Sequence, residues 1–225
     1  MRFENIRTIY FDYDGTIHDS IKIYAPAFKK AYDFLVENSK AQPRNWHDEE
    51  IKKWLGYTGK EMWEKFMPSL EEPMKRQAGS IIGREMERLI VSGRAQLYDG
   101  ALNVLEQLKG RGYKLVFLSN CSISYMEMSC RVFDLKRFFH EMICSEMYGF
   151  IPKYEILRKI KNNHEMNQVI VGDRFHDIES AVRNSIESVF CEYGYGERSE
   201  GNKATASIKD IKEILSCFHW RSRIS

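Results

Sequence analysis

Long hydrophobic runs are missing from this 225-residue chain. No stretch approaches the roughly 18 consecutive apolar residues that a membrane helix needs. The first residues carry Arg2, Glu4 and Arg7, and no apolar segment there resembles a signal peptide. An excess of one charge is missing too. The 34 lysines and arginines against 32 acidic residues leave a formal charge of +2, which gives no basic footprint for nucleic acid. The one local basic stretch, Trp220, Arg221 and Arg223, reads as a solvated end. Cysteine is sparse and unpaired in pattern. Cys121, Cys130, Cys144, Cys191 and Cys217 are odd in number and none forms C-x-x-C, so neither a disulfide framework nor a zinc site follows. Reduced thiols are the expectation, and with them a soluble, cytoplasmic protein. Internal repeats and low-complexity segments are absent as well.

What remains is a globular chain, 43% hydrophobic, long enough for one large domain or a domain with an insertion. Thr8 to Phe11 is β-branched and aromatic, and predicts a short buried strand. From Ile21 to Asn38 the apolar residues Ile23, Ala27, Phe28, Ala31, Phe34 and Leu35 recur at helical spacing. Helical pattern continues over 48–66 and 71–91 with no strong strand between. Helices and strands then alternate. Helix is expected over 102–109, 123–133, 154–161, 177–183 and 208–217, and strand over 114–119, 141–145, 168–171 and 188–191. Such alternation predicts an α/β fold, a Rossmann-like parallel sheet with helices on both faces. The expected division is a core of residues 1–20 and 95–225, with an all-helical cap, 21–94, inserted after the first strand.

Three polar clusters, Asp12/Asp14, Ser119/Asn120 and Asp173/Asp177, fall at the carboxyl ends of expected strands, where open α/β sheets bind ligands. Close carboxylates repel unless a cation or proton lies between them. A hard divalent ion fits that charge, and Mg²⁺ is favoured because it accepts a few carboxylates and keeps water or phosphate oxygens as other ligands. A phosphate would need donors and positive charge. Backbone N–H groups of Gly15 and Thr16, the Ser119 hydroxyl, Asn120 and Lys153 are the candidates, with Lys60 in an outlying loop as a further anion contact. Aspartate is a nucleophile in phosphoryl transfer, and Asp14 could serve as acid and then base.

The ordered set Asp12-Tyr13-Asp14-Gly15-Thr16, Leu118-Ser119-Asn120, Lys153 and Gly172-Asp173 with Asp177 resembles the haloacid dehalogenase superfamily over nearly the whole chain. Leu97-Tyr98-Asp99-Gly100 and the Tyr193-Gly194-Tyr195-Gly196 loop resemble the phosphoglycolate phosphatase branch. The resemblance implies Asp12 as nucleophile and metal ligand, and Asp14 as acid/base with its carbonyl on Mg²⁺. It implies Ser119 and Lys153 on the phosphate, Asp173 on the metal directly, and Asp177 supporting it. The implied activity is Mg²⁺-dependent hydrolysis of a small phosphorylated metabolite through an aspartyl-phosphate, by a monomer or homodimer. The alternatives are a phosphomutase of the β-phosphoglucomutase type and a non-catalytic binding module.

Several residues also have plainer readings. Asp177 suits a helix N-cap. His18 suits a hydrogen-bonded or solvated junction, and His176 an exposed position. Met62, Trp63, Phe66 and Met67 suit the core of the cap. Gly56 to Lys60 has its glycines too close together for a phosphate-binding P-loop, with Glu61 where Ser or Thr is needed. It reads instead as a cap loop facing the substrate.

Overall fold

The computed structural model describes residues 3–218. Arg2 and the basic stretch Trp220, Arg221 and Arg223 lie outside the described residues. In chain order the elements are β1 (Thr8–Phe11), α1 (Ile21–Glu37), α2 (Asp48–Ile51), α3 (Gly59–Phe66), α4 (Glu72–Val91), α5 (Ala101–Gly110), β2 (Lys114–Ser119), α6 (Ile123–Phe133), β3 (Glu141–Cys144), α7 (Lys153–Ile160), β4 (Gln168–Gly172), α8 (Phe175–Asn184), β5 (Glu187–Cys191), β6 (Ala206–Ile208) and α9 (Ile214–Cys217). Six strands form one parallel sheet in the order β3-β2-β1-β4-β5-β6.

Parallel sheets covered on both faces carry continuous apolar strands, and every residue of β1 is buried. Alternate side chains enter opposite cores, as a period of two requires. Ile9, Phe11, Leu115, Phe117, Val169 and Val171 pack in a cluster with Val104, Leu105 and Leu108 of α5. Tyr10, Val116, Leu118 and Ile170 pack in another with Ile156, Leu157 and Ile160 of α7. Burying a side chain of Phe or Leu size stabilises by roughly 1.5–3 kcal/mol. These two layers therefore fix the height at which every strand ends. Phe11 is in register with Phe117 on one side and Val171 on the other. The residues after β1 and β4 and the end of β2 thus emerge side by side.

Residues 21–91 hold four helices and no strand. They have a core of their own, in which Phe28, Tyr32 and Leu35 of α1 meet Trp46, Trp63, Ala78 and Ile82. Both chain crossings to this segment are tied together. Asp19 N–H donates to Gln96 O at 2.9 Å, and Tyr98 N–H to Ile17 O at 2.9 Å. None of the described helices is long and apolar enough to cross a membrane. All five cysteines are free and buried.

Two expected helices are corrected. The pattern over 48–66 breaks after a 3₁₀ turn at 52–54. Gly56 has φ +85°, and α3 starts afresh from Thr58, whose side chain and that of Glu61 cap each other. The final segment is not helical throughout. Ala206–Ile208 pairs with β5, a 3₁₀ turn follows, and only Ile214–Cys217 is α-helical. Asp210 makes the break by accepting from Lys212 N–H at 2.8 Å.

Candidate active site

β1 ends in a tight turn. The Tyr13 carbonyl accepts from the N–H groups of Thr16, Ile17 and His18. Gly15 takes φ +79° there and donates its own N–H to His18 O at 2.9 Å. The N–H groups of Gly15 and Thr16, expected from the sequence to face a phosphate, are therefore engaged within the turn. Their service is to Asp173. The Thr16 hydroxyl donates to Asp173 Oδ1 at 3.4 Å. A Cβ on Gly15 would stand 2.2 Å from Asp173 Oδ2, so a glycine is needed for both φ and space.

Asp173 leaves the end of β4 fully buried, and its Oδ2 accepts from Tyr195 N–H at 2.6 Å. Asp177 sits in the first turn of α8. It is not the N-cap; it occupies the third helical position and accepts from Arg174 N–H at 3.1 Å through Oδ2. Its Oδ1 accepts from the Lys153 ammonium at 2.7 Å. Pro152 precedes α7 and Lys153 is its first residue. The same ammonium lies 3.0 Å from Asp12 Oδ1. Asp12 is 2% exposed and Lys153 also 2%.

Oxygens of Asp12, Asp173 and Asp177 lie within 4.8 Å of one another. Burial pushes the Asp12 pKa up to about 7, against the pull of Lys153. Burial also raises Asp173 well above the ordinary range, and the charges of Asp12 and Asp177 add to this. Burial alone would lower Lys153, but Asp12 and Asp177 override it and keep the ammonium charged. With all three carboxylates ionised, one ammonium leaves two negative charges uncompensated. All the donors in the group are hard oxygens, so the set fits a small divalent cation such as Mg²⁺.

Asp14 stands apart from that group. Its Oδ1 accepts from the Tyr125 hydroxyl at 2.7 Å and lies 3.2 Å from His18 Nδ1. His18 is fully buried, stacked on Tyr13 with ring centres 4.9 Å apart, and 2.9 Å from Tyr125 Oη. It is a hydrogen-bonded junction residue in contact with Asp14. Asp12, Asp14, Ser119, Asn120 and Tyr125 form one wall of a cavity of about 200 Å³, and the helical segment supplies the opposite wall. Asn120 spans the two by donating from Nδ2 to Gly56 O at 3.1 Å. The loop around Gly56 faces the cavity as expected, with Gly56, Tyr57 and Gly59 on its wall. Lys60 does not join the site: its side chain is 83% exposed and 3.8 Å from Glu64. His176, expected exposed, is only 7% exposed. It packs edge-on against Tyr57 and lies 3.6 Å from Glu61. Met62 and Trp63 are buried in the helical core and also reach the cavity.

Three supporting residues were assigned no role from the sequence, although Tyr195 and Arg174 stand within stretches that carry the family resemblance. Tyr125 follows Ser122, the N-cap of α6, and nothing local distinguishes it from a core tyrosine. Tyr195 holds Asp173 with its N–H, while its hydroxyl accepts from Ile21 N–H at 3.0 Å, at the start of α1. Arg174 pairs with Glu200 at 3.1 Å, lies over Tyr57, and donates to Leu55 O and, at 3.3 Å, to Lys53 O. Such long-range roles leave no spacing signature.

Residues 9–191 match the family described as haloacid dehalogenase-like hydrolase. The chain belongs to that family. It is 24% identical to a phosphoglycolate phosphatase from Aliivibrio fischeri, over 95% of this chain and 97% of that protein. It is 28% identical to a 5'-nucleotidase from Pseudomonas aeruginosa, over 55% of this chain and 59% of that protein. Among solved structures, a predicted phosphatase from Clostridium acetobutylicum superposes with a TM-score of 0.78 at 20% identity, covering 94% of this chain and 97% of the other. CbbY from Rhodobacter sphaeroides in complex with phosphate gives 0.74 at 19%, covering 93% and 96%. Both likenesses show the shared fold.

Proposed function

We propose that this member of the family is a Mg²⁺-dependent phosphatase of small phosphate monoesters, with Asp12 as nucleophile. The observation that carries this reading is the buried group of Asp12, Asp173, Asp177 and Lys153, opening beside Asp14 on a cavity. The names of the relatives, phosphatases and a nucleotidase, point the same way.

A carboxylate oxygen of Asp12 attacks phosphorus, and the bond from phosphorus to the leaving oxygen breaks. Asp14 gives that oxygen a proton. Asp14 then takes a proton from water, whose oxygen attacks the aspartyl-phosphate and frees inorganic phosphate and the Asp12 carboxylate. Lys153 and the Ser119 hydroxyl hold the phosphoryl oxygens, and Asn120 orients the ester. Asp12, the main-chain carbonyl of Asp14 and Asp173 would hold Mg²⁺, with Asp177 in support. Bound there, the ion supplies positive charge against the nucleophile and the phosphate. Tyr125 and His18 fix Asp14, and Thr16, Gly15 and Tyr195 fix Asp173. Residues 21–94 act as a cap that excludes bulk water.

Phosphate release from a panel of monoesters, with Mg²⁺ and with EDTA, tests the proposal. The expected result is Mg²⁺-dependent release that disappears in Asp12→Asn. Wild-type turnover in Asp12→Asn would refute Asp12 as nucleophile. An isomerised sugar phosphate in place of free phosphate would mark a mutase.

A further inference from the structure

The cap wall of the cavity is apolar and aromatic. Trp54, Leu55, Tyr57, Met62, Trp63 and Ile82 line it. Among the described lining residues there is no lysine or arginine. The charged ones are Asp12, Asp14 and Glu87, all acidic. Lys153 serves the reacting end, beside Asp12 and Asp177, and does not line the cavity, and the Lys60 side chain is exposed outside it. On α4 the wall is bare at Gly79 and Gly83, one helical turn apart. A Cβ on Gly83 would meet nothing within 4 Å, and one on Gly79 only Trp63 Nε1 at 3.4 Å. Glycine in a helix interior is unfavourable by about 1 kcal/mol against alanine, so two such positions on one cavity wall keep space that packing alone does not require.

We infer that the leaving group of the substrate is a single ring with an apolar face and no negative charge. This rests on the phosphatase reading above. A carboxylate or second phosphate on the leaving group would be desolvated against Glu87 and the two aspartates with no cation to meet it. A flat ring instead finds Trp54, Tyr57 and Trp63 for edge or face contact. The cavity of about 200 Å³ must take the phosphate beside Asp12 as well as the leaving group; since a dry cavity of about 150 Å³ takes benzene, the space beyond the phosphate suits one ring and not two.

The test compares kcat/KM, with Mg²⁺, for benzyl phosphate, glycerol 2-phosphate and phosphoglycolate. Benzyl phosphate should exceed glycerol 2-phosphate by roughly tenfold or more, the scale set by hydrophobic pocket contacts. Phosphoglycolate should be slowest. Glu87→Lys, at a half-buried position, should raise the ratio of phosphoglycolate to benzyl phosphate by roughly tenfold, the scale of one close charge reversal. Phosphoglycolate turned over as well as benzyl phosphate, equal rates for the two neutral esters, or an unmoved ratio in Glu87→Lys would each overturn the inference while leaving the phosphatase reading intact. No phosphate release from any ester would overturn both.

Discussion

The metal-free protein should lose stability as pH rises through the acid range, and Asp12→Asn should remove much of that loss. Asp12 is raised from the ordinary 3.8 to about 7 in the folded chain, chiefly by burial. Between those values the folded state holds a proton that the unfolded state has released. Stability therefore falls with increasing pH across that window. At about 1.4 kcal/mol for each pH unit, the fall amounts to about 4 kcal/mol. Asp173, raised by burial and by Asp12, acts in the same direction. Asp12→Asn keeps the shape, deletes the charge, and leaves Lys153 paired with Asp177. Metal-free wild type should thus be less stable than Asp12→Asn at pH 8, and the two should converge near pH 4. Mg²⁺ narrows that gap. At about a hundredfold excess over its Kd it adds about 2.7 kcal/mol to wild type. For a chain of this length that is a Tm increase of roughly 5–10 °C, with a smaller gain in the variant. Urea unfolding from pH 4 to 8 and thermal melts, with EDTA and with Mg²⁺, read both quantities. A flat pH profile for the metal-free wild type, or an equal Mg²⁺ gain in Asp12→Asn, would refute the account of three buried carboxylates sharing one ammonium.

Tyr125→Phe removes the 2.7 Å bond to Asp14. It should lower kcat by roughly tenfold with little change in KM, since a hydrogen bond to a charged group is worth about 1.5–3 kcal/mol; an unchanged kcat would show that Asp14 is positioned without it. Arg174→Ala strands Glu200 and the Leu55 and Lys53 carbonyls. It should destabilise by about 3 kcal/mol, measured by urea unfolding, and a loss under about 0.5 kcal/mol would dismiss its bridging role. Glu61 is held down to about 2, first by the His176 ring 3.6 Å away. That stability is present above the ordinary Glu value of 4.5 and lost as pH falls toward 2. Because the side chain is 40% exposed, solvent screening reduces it to about 1 kcal/mol, and acid titration of Glu61→Gln should show a flatter limb by that amount. Gly83→Ala should stabilise the fold by up to about 1 kcal/mol while lowering kcat/KM for a ring-bearing ester; a destabilised variant would contradict the open space at that position.

The sheet was legible in the sequence because its strands are buried on both faces. Thr8–Phe11 and Lys114–Ser119 are runs that can only be interior, and both stand where the apolar pattern places them. The last segment was not legible. Ala206–Ile208 is a three-residue edge strand, and its alternation is too short to separate from the start of a helix. The acidic residues at strand ends were legible for the same physical reason as the strands: a charge directly after a buried run needs a partner where the sheet stops. What those charges require was less visible. Gly15 and Thr16 looked like phosphate donors because backbone N–H groups at a strand end often point outward. Here the turn consumes both N–H groups, and the pair shapes the seat of Asp173, which is distant in sequence. Tyr195 joins that same seat to the first residue of α1, and Arg174, the next residue after Asp173, reaches the loop before α3. Both residues beside the Asp173 carboxylate therefore touch the helical segment.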